Sequence, residues 1–176
     1  FGYGNEGVFC FNTEGIWVKH ATGVVSDIGK RVHDMVSTAD GSVWFGACYS
    51  ANGGLLRYTP GEGGGQWRRY RGIELGLQSE EITSLAADAQ GGIWLVTAYT
   101  PEVTGNGTGV HHVRFDDPEK PQATHFTYRG SSTTLTSLRY SYIAADRKGG
   151  VWFAAYDDPS IARLKADGTW QQIRQT

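Results

Sequence analysis

Three six-residue stretches decide the fold: Asp40-Gly41-Ser42-Val43-Trp44-Phe45, Gln90-Gly91-Gly92-Ile93-Trp94-Leu95 and Lys148-Gly149-Gly150-Val151-Trp152-Phe153. Each is a glycine turn, a β-branched residue, a tryptophan and a further apolar residue. A second marker follows each one: Trp67-Arg68-Arg69-Tyr70-Arg71, His125-Phe126-Thr127-Tyr128-Arg129 and Trp170-Gln171-Gln172-Ile173-Arg174, with an earlier copy at Trp17-Val18-Lys19-His20. The tryptophans of the first series are spaced by 50 and 58 residues, and the second series runs by 50, 58 and 45. Two markers sharing one irregular period establish an internal repeat.

Within a unit the chain alternates short apolar segments with turns, and no stretch carries a sustained 3.6-residue apolar period with helix caps. Residues 32–38, 42–49, 54–59 and 66–71 read as four strands; 82–87, 92–99, 109–115 and 124–129 repeat them, as do 140–145, 150–156, 161–165 and 169–174. Four strands per 45 to 58 residues describe a β-propeller blade. The expected fold is therefore all-β: a propeller of four-stranded antiparallel blades, with about three and a half to four blades in this chain. Residues 1–20 form an incomplete blade, and 31–71, 81–129 and 140–174 form complete ones, so the whole of 1–176 reads as one partial propeller. The recurring tryptophan fills the wedge between neighbouring blades.

Propellers close with about four to eight blades, and an open sheet edge invites association. The chain opens on Phe1-Gly2, which aligns with Phe45-Gly46 inside a second strand. The expectation is a segment of a longer chain; the alternatives are copies that assemble into one ring, or a self-contained four-blade ring with one blade incomplete.

Composition supports a folded domain. The 176 residues include 25 Gly, 6 Trp, 9 Tyr and 7 Phe, with 19% charged residues and a formal charge of −2. That balance excludes a disordered tail and a general electrostatic attraction to nucleic acid. No apolar run approaches the roughly 20 residues of a membrane-spanning helix, so no membrane insertion is expected of this segment. Cys10 and Cys48 lack metal-type spacing and, lying in strand-like segments, are expected to be buried thiols.

The stretch from Gly76-Leu77 through Ile82-Thr83-Ser84-Leu85 and Asp88 to Gly91-Gly92-Ile93-Trp94 resembles the two-component regulator propeller repeat. Trp44-Phe45-Gly46 with Gly53-Gly54-Leu55-Leu56 fits the later half of that repeat, and Asp146 with Gly149-Gly150-Val151-Trp152 the middle. The fourth unit departs where Pro159-Ser160-Ile161 replaces Gly-Gly-Leu, and the third carries an insertion over 101–108. The resemblance implies a bacterial sensor or signalling domain lying outside the cytoplasm, periplasmic or extracellular, that responds to carbohydrates. A more distant resemblance, to streptogramin lyase propellers, implies an enzyme with a histidine base and a divalent metal, but its histidine pattern has no counterpart placed here.

Ligands of propellers bind where the strand-two-to-strand-three loops and the links between blades meet. Those loops are 3–6, 49–53, 99–109 and 156–160, and a tyrosine opens each. Tyr3, Tyr49, Tyr99 and Tyr156, with Asn52 and Asp157, are the candidate ligand-binding residues, because a phenol pairs a flat apolar ring with a polar tip suited to sugar or peptide contact. The alternative role for these tyrosines is to cap the blade edge. Asp157 and Asp158 are weak candidates for a metal; they lack the spacing of a dedicated calcium loop, and solvated turn residues are the plainer reading. His33, on a first strand beside Asp34, is a weak candidate for a general base against the plainer role of lining the channel. His111 and His112 face opposite sides of a strand, and His125, aligned with the fourth-strand tryptophans, is expected to pack. Asp88 and Asp146, six residues before their tryptophans, are expected to hydrogen-bond their own turns.

No cofactor is expected. The function expected is non-catalytic binding or sensing of a carbohydrate or peptide on the loop face, with the rest of the propeller supplied by the same longer chain or by a homo-oligomer. The alternatives are a lyase or hydrolase of the streptogramin lyase type and a protein-interaction scaffold.

Overall fold

The turn chemistry sets the strands. Gly41, Gly91 and Gly149 sit at φ 80°, 83° and 79°, a left-handed conformation that glycine adopts without a Cβ penalty. Each turn closes on a backbone pair, from Thr38 N to Ser42 O at 3.0 Å, Asp88 N to Gly92 O at 2.9 Å and Asp146 N to Gly150 O at 2.7 Å. The β-branched and aromatic residues on either side then pair as hairpins.

The computed structural model describes residues 8–11, 14–20, 31–48, 53–77, 79–98, 107–127, 135–137 and 139–174. Its strands are β1 (Val8–Phe11), β2 (Trp17–His20), β3 (Arg31–Ser37), β4 (Val43–Cys48), β5 (Gly54–Thr59), β6 (Gln66–Tyr70), β7 (Ile82–Ala87), β8 (Ile93–Thr97), β9 (Gly107–Arg114), β10 (Gln122–Thr127), β11 (Tyr140–Ala145), β12 (Val151–Ala155), β13 (Ile161–Leu164) and β14 (Trp170–Ile173). They form three four-stranded sheets, β3-β4-β5-β6, β7-β8-β9-β10 and β11-β12-β13-β14, and the two-stranded sheet β1-β2, with every pairing antiparallel. Each four-stranded sheet is one blade, in sequence order, as the repeat requires.

The blades stack through their faces. Trp44 and Leu55 of the first full blade pack on Ile82, Leu85, Ile93, Leu95 and Val113 of the second. Trp94, Val96 and Val110 of the second pack on Tyr140, Ile143, Val151, Phe153 and Ala162 of the third. The wedge role of Trp44 and Trp94 follows directly, since both are almost wholly buried. Burying aromatic rings of this size dominates the energetics of such a seam.

The innermost strands add a polar rail. Each carries a bulge at the same place, between Val32 and Asp34, Ile82 and Ser84, and Tyr140 and Tyr142. The bulge turns Asp34 toward the second blade, where its Oδ2 accepts from Ser84 Oγ at 3.0 Å and Leu85 N at 2.8 Å. Ser84 Oγ in turn accepts from Ile143 N of the third blade at 3.3 Å.

Two expectations need correction. His125 does not occupy the fourth-strand tryptophan position: Trp67 pairs with Tyr58 and Trp170 with Leu164, but the corresponding partner of Val113 is Ala123. The outer strand of that blade starts two residues early, at Gln122, and its register breaks between His125 and Thr127. Phe115 takes up the space, with its ring 4.4 Å from Trp44 and 4.9 Å from Tyr70. Cys10, expected to be buried, is an exposed thiol outside any disulfide, because it sits on the face of a two-stranded sheet with little to cover it. The side chain of Cys48 lies outside the described residues.

Candidate functional site

Antiparallel order places the strand-two-to-three loops and the links between blades at one end of the blades, and the glycine turns at the other. At the loop end, the link 135–139 and the loop 156–160 form a stapled platform. The Tyr156 amide donates to Arg139 O at 2.9 Å. Asp158 Oδ2 accepts from Thr136 Oγ1 at 2.5 Å, and its Oδ1 from Ser160 N at 2.8 Å. The Thr136 hydroxyl, then Ser160, hold the Asp158 carboxyl below its ordinary range. Asp157 accepts from Ser137 Oγ, which itself accepts from Arg139 N at 2.8 Å. Gln172 Nε2, from β14, donates to Thr136 Oγ1 at 3.0 Å and Ser160 Oγ at 2.8 Å. The link after the first full blade is tied back to that blade through one acidic residue: Gly72 N donates to Glu80 Oε2 at 2.6 Å and Gly54 N to Glu80 O at 2.8 Å.

Of the candidate residues, the platform gathers Tyr156, Asp157 and Asp158. Tyr156 is 79% exposed, with the Arg139 guanidinium 5.4 Å from its ring centroid. A cation over a phenol face keeps the ring in place while leaving its other face open to solvent. The two carboxylates are engaged in tying the link to the loop, and among the described residues no group of three or more metal-ligating side chains occurs. Tyr3, Tyr49, Asn52 and Tyr99 lie outside the described residues. His33 is exposed on β3, at the bulge and beside the Asp34 rail.

A second polar group lies inside the middle blade. His111 is 2% exposed; its Nε2 is 3.2 Å from Thr97 Oγ1 and its Nδ1 is 2.6 Å from His125 Nδ1. One of the two facing Nδ1 atoms carries the hydrogen and donates it to the other. Burial, then the neighbouring His125, push the His111 pKa down to about 3, so His111 is neutral at physiological pH.

At the opposite end, a basic side chain pins each glycine turn to its tryptophan. Arg57 NH2 reaches Asp40 Oδ2 at 2.6 Å, His112 Nε2 reaches Asp88 Oδ2 at 2.7 Å and Arg163 NH2 reaches Asp146 Oδ2 at 2.8 Å. The Arg57 and Arg163 guanidinium groups lie 5.1 and 4.6 Å from the rings of Trp44 and Trp152, and the His112 imidazole stacks on Trp94 at 4.4 Å and 17°. As expected, Asp88 caps its own turn through Gln90 N and Gly92 N, and Asp146 through Lys148 N and Gly150 N. In the first blade Thr38 stands at the aspartate position and Asp40 supplies the carboxylate from two residues on. The Thr38 hydroxyl, chiefly, draws the Asp40 pKa down to about 2. Burial works to raise Asp88, but His112 and the Gly92 amide outweigh it and hold the carboxyl low.

Residues 76–99 match the family model described as two component regulator propeller, the family that the motifs resemble. Among curated proteins none matches the sequence. Among solved structures, the chain is similar to virginiamycin B lyase from Staphylococcus aureus, at 17% identity over 97% of this chain and 49% of that one, with a TM-score of 0.63. It is similar to the extracellular domain of a protein described as a hybrid two component system from B. thetaiotaomicron, at 14% identity over 98% of this chain and 22% of that one, with a TM-score of 0.64. It is also similar to an auxiliary nutrient binding protein from Bacteroides ovatus, at 13% identity over 96% of this chain and 36% of that one, with a TM-score of 0.58. At such identities the likeness carries the propeller fold. The chain spans about half the length of the lyase and about a fifth of the sensor domain.

Proposed function

We propose that this chain is part of a non-catalytic sensor or binding propeller outside the cytoplasm, which recognises a carbohydrate or peptide on the loop end of its blades. The observation that carries the proposal is Tyr156, a large aromatic side chain left 79% exposed at the loop end and held there by Arg139. The loop beneath it is tied down by Asp157 and Asp158, so the ring is presented from a preorganised support, which lowers the cost of ordering on binding. The likeness to extracellular sensor domains and to a nutrient binding protein supports the same assignment. Tyr3, Tyr49, Asn52 and Tyr99 would complete the surface from the other blades.

The test is a binding screen of the chain against soluble oligosaccharides and short peptides, followed by Tyr156→Ala on whatever binds. A loss of about tenfold in affinity, equivalent to about 1.4 kcal/mol, is expected with the circular dichroism spectrum unchanged. Equal affinity in the two proteins would remove Tyr156 from the site and the proposal with it.

A further inference from the structure

His111 and His125 are direct cross-strand partners on β9 and β10, in the same row as the buried Leu95 of β8. Side chains opposite one another in an antiparallel pair stand about 5 Å apart at Cβ, close enough for two imidazoles to share one atom between them. The rings meet at 88°, with the two Nδ1 atoms 2.6 Å apart. His111 is anchored from behind: its Nε2 lies 3.2 Å from Thr97 Oγ1, and that hydroxyl donates to Gly109 O at 3.4 Å. With its hydrogen committed to Gly109, the Thr97 oxygen accepts, so His111 Nε2 carries a hydrogen and His111 Nδ1 presents a lone pair. The hydrogen between the two rings therefore belongs to His125 Nδ1. A ring nitrogen with a free lone pair, on an imidazole whose other N–H is donated to a protein group, is the state in which histidine ligates a metal. His125 lies on the exposed side of the pair, next to the register break of β10, so its ring can tilt without disturbing the core.

We propose that His111 Nδ1 and His125 Nδ1 chelate a first-row transition ion of the Zn²⁺ type, in place of the hydrogen that now lies between them. Two Zn–N bonds of about 2.0–2.1 Å at a tetrahedral angle set the nitrogens about 3.3 Å apart, so the rings have to separate by about 0.7 Å. His125 gives its Nδ1 hydrogen to water and takes one from water at Nε2, so both imidazoles stay neutral. Water completes the four-coordinate shell from the His125 side. A donor pair of neutral imidazoles suits Zn²⁺, Cu²⁺ and Ni²⁺, and not Ca²⁺ or Mg²⁺, which take oxygen ligands. Two protein ligands are fewer than the four of a structural zinc site, so the expected affinity is micromolar. The bound ion clamps β10 to β9 beside the register break. The inference stands apart from the ligand proposal, since the site uses none of the residues of the loop-end platform.

The experiment is calorimetric titration of ZnCl₂ into the 176-residue chain carrying Cys10→Ser, a substitution that removes an exposed thiol able to compete for the ion. Expected is one ion per chain, bound about tenfold or more weakly after His125→Ala and equally well after His33→Ala. His125 is exposed, so its variant should keep the circular dichroism spectrum of the parent. A second readout needs no variant of the pair: in ¹⁵N spectra of the imidazoles, the Nδ1 resonances of His111 and His125 should move together over the first equivalent of Zn²⁺, while the His111 Nε2–H signal persists. CaCl₂ should move neither. Binding that survives His125→Ala, or that His33→Ala abolishes, would overturn the proposal by placing the ion elsewhere. A shift confined to one ring would overturn it too, and so would the absence of binding at millimolar Zn²⁺.

Discussion

Asp34→Ala removes the acceptor that joins the first and second full blades on their innermost strands. The carboxylate takes the Ser84 hydroxyl at 3.0 Å and the Leu85 amide at 2.8 Å across the seam, and the Met35 amide at 2.8 Å within its own strand. Ser84 and Leu85 are buried, at 4% and 5% exposure, so water replaces the lost acceptor poorly. An orphaned buried amide costs about 1–3 kcal/mol, and a hydrogen bond to a charged group contributes about 1.5–3 kcal/mol. Ser84 can turn its hydroxyl elsewhere, and Asp34 is only half-buried, so values toward the low end of each range apply and together the expected loss is about 3 kcal/mol. Asp34→Asn keeps one acceptor oxygen and should lose about 1 kcal/mol. Urea unfolding followed by tryptophan fluorescence reads both, since the seam contains Trp44. At a slope of about 2 kcal/mol per molar, the alanine variant should unfold about 1.5 M earlier. The double variant with Ser84→Ala should lose less than the sum of the two singles, because both remove one bond. A midpoint within about 0.2 M of the wild type, or strict additivity, would show that the rail carries no load and that apolar packing alone joins the blades.

Two further perturbations test other parts of the structure. His111 stays neutral when folded, with its pKa pushed from 6.5 to about 3, yet takes up a proton when unfolded. Its contribution is therefore complete above pH 6.5 and declines as pH falls toward 3. His111→Leu should flatten the stability profile between about pH 6.5 and 4, measured by unfolding at a series of pH values, and an unchanged slope would show that the imidazole is hydrated in the fold. Gly92→Ala places a Cβ 2.4 Å from His112 Nε2 and 2.6 Å from Asp88 Oδ2. The substitution should break the His112–Asp88 contact and destabilise the chain by about 1–3 kcal/mol in the same urea assay, whereas Gly91→Ala meets no neighbour and is strained only through its φ of 83°; equal mild losses for the two would mean that the pin moves aside freely.

The family match at 76–99 falls on the unit in which the linear motif is most complete, from Gly76-Leu77 to Trp94. The blade boundaries, the turn glycines and the self-capping of Asp88 and Asp146 were legible because each depends on residues within a few positions of one another. Gly41 needs a left-handed turn whatever lies beyond it, and an aspartate two residues before an amide reaches it without help from the rest of the chain. The candidate site was less legible. Tyr156 could be singled out by its place after a strand, but its exposure and its contact with Arg139 depend on how the residue before β11 meets the one after β12. The carboxylates of Asp157 and Asp158 looked like possible ligands in sequence because Ser137 and Thr136, which engage them, lie about 20 residues upstream.

Sequence periodicity alone determined that this is a propeller of four-stranded blades, because hairpins are local and their spacing is written directly in the glycine and tryptophan positions. Only the tertiary structure decided what joins one blade to the next. The Asp34–Ser84 rail spans 50 residues, the Arg57, His112 and Arg163 pins fall at uneven distances from their tryptophans, and Phe115 fills the gap where Ala123 replaces a tryptophan. These contacts run across sheet faces rather than along the chain. The variable loop lengths between strands uncouple them from any fixed spacing, so packing, not periodicity, selects the residues that meet.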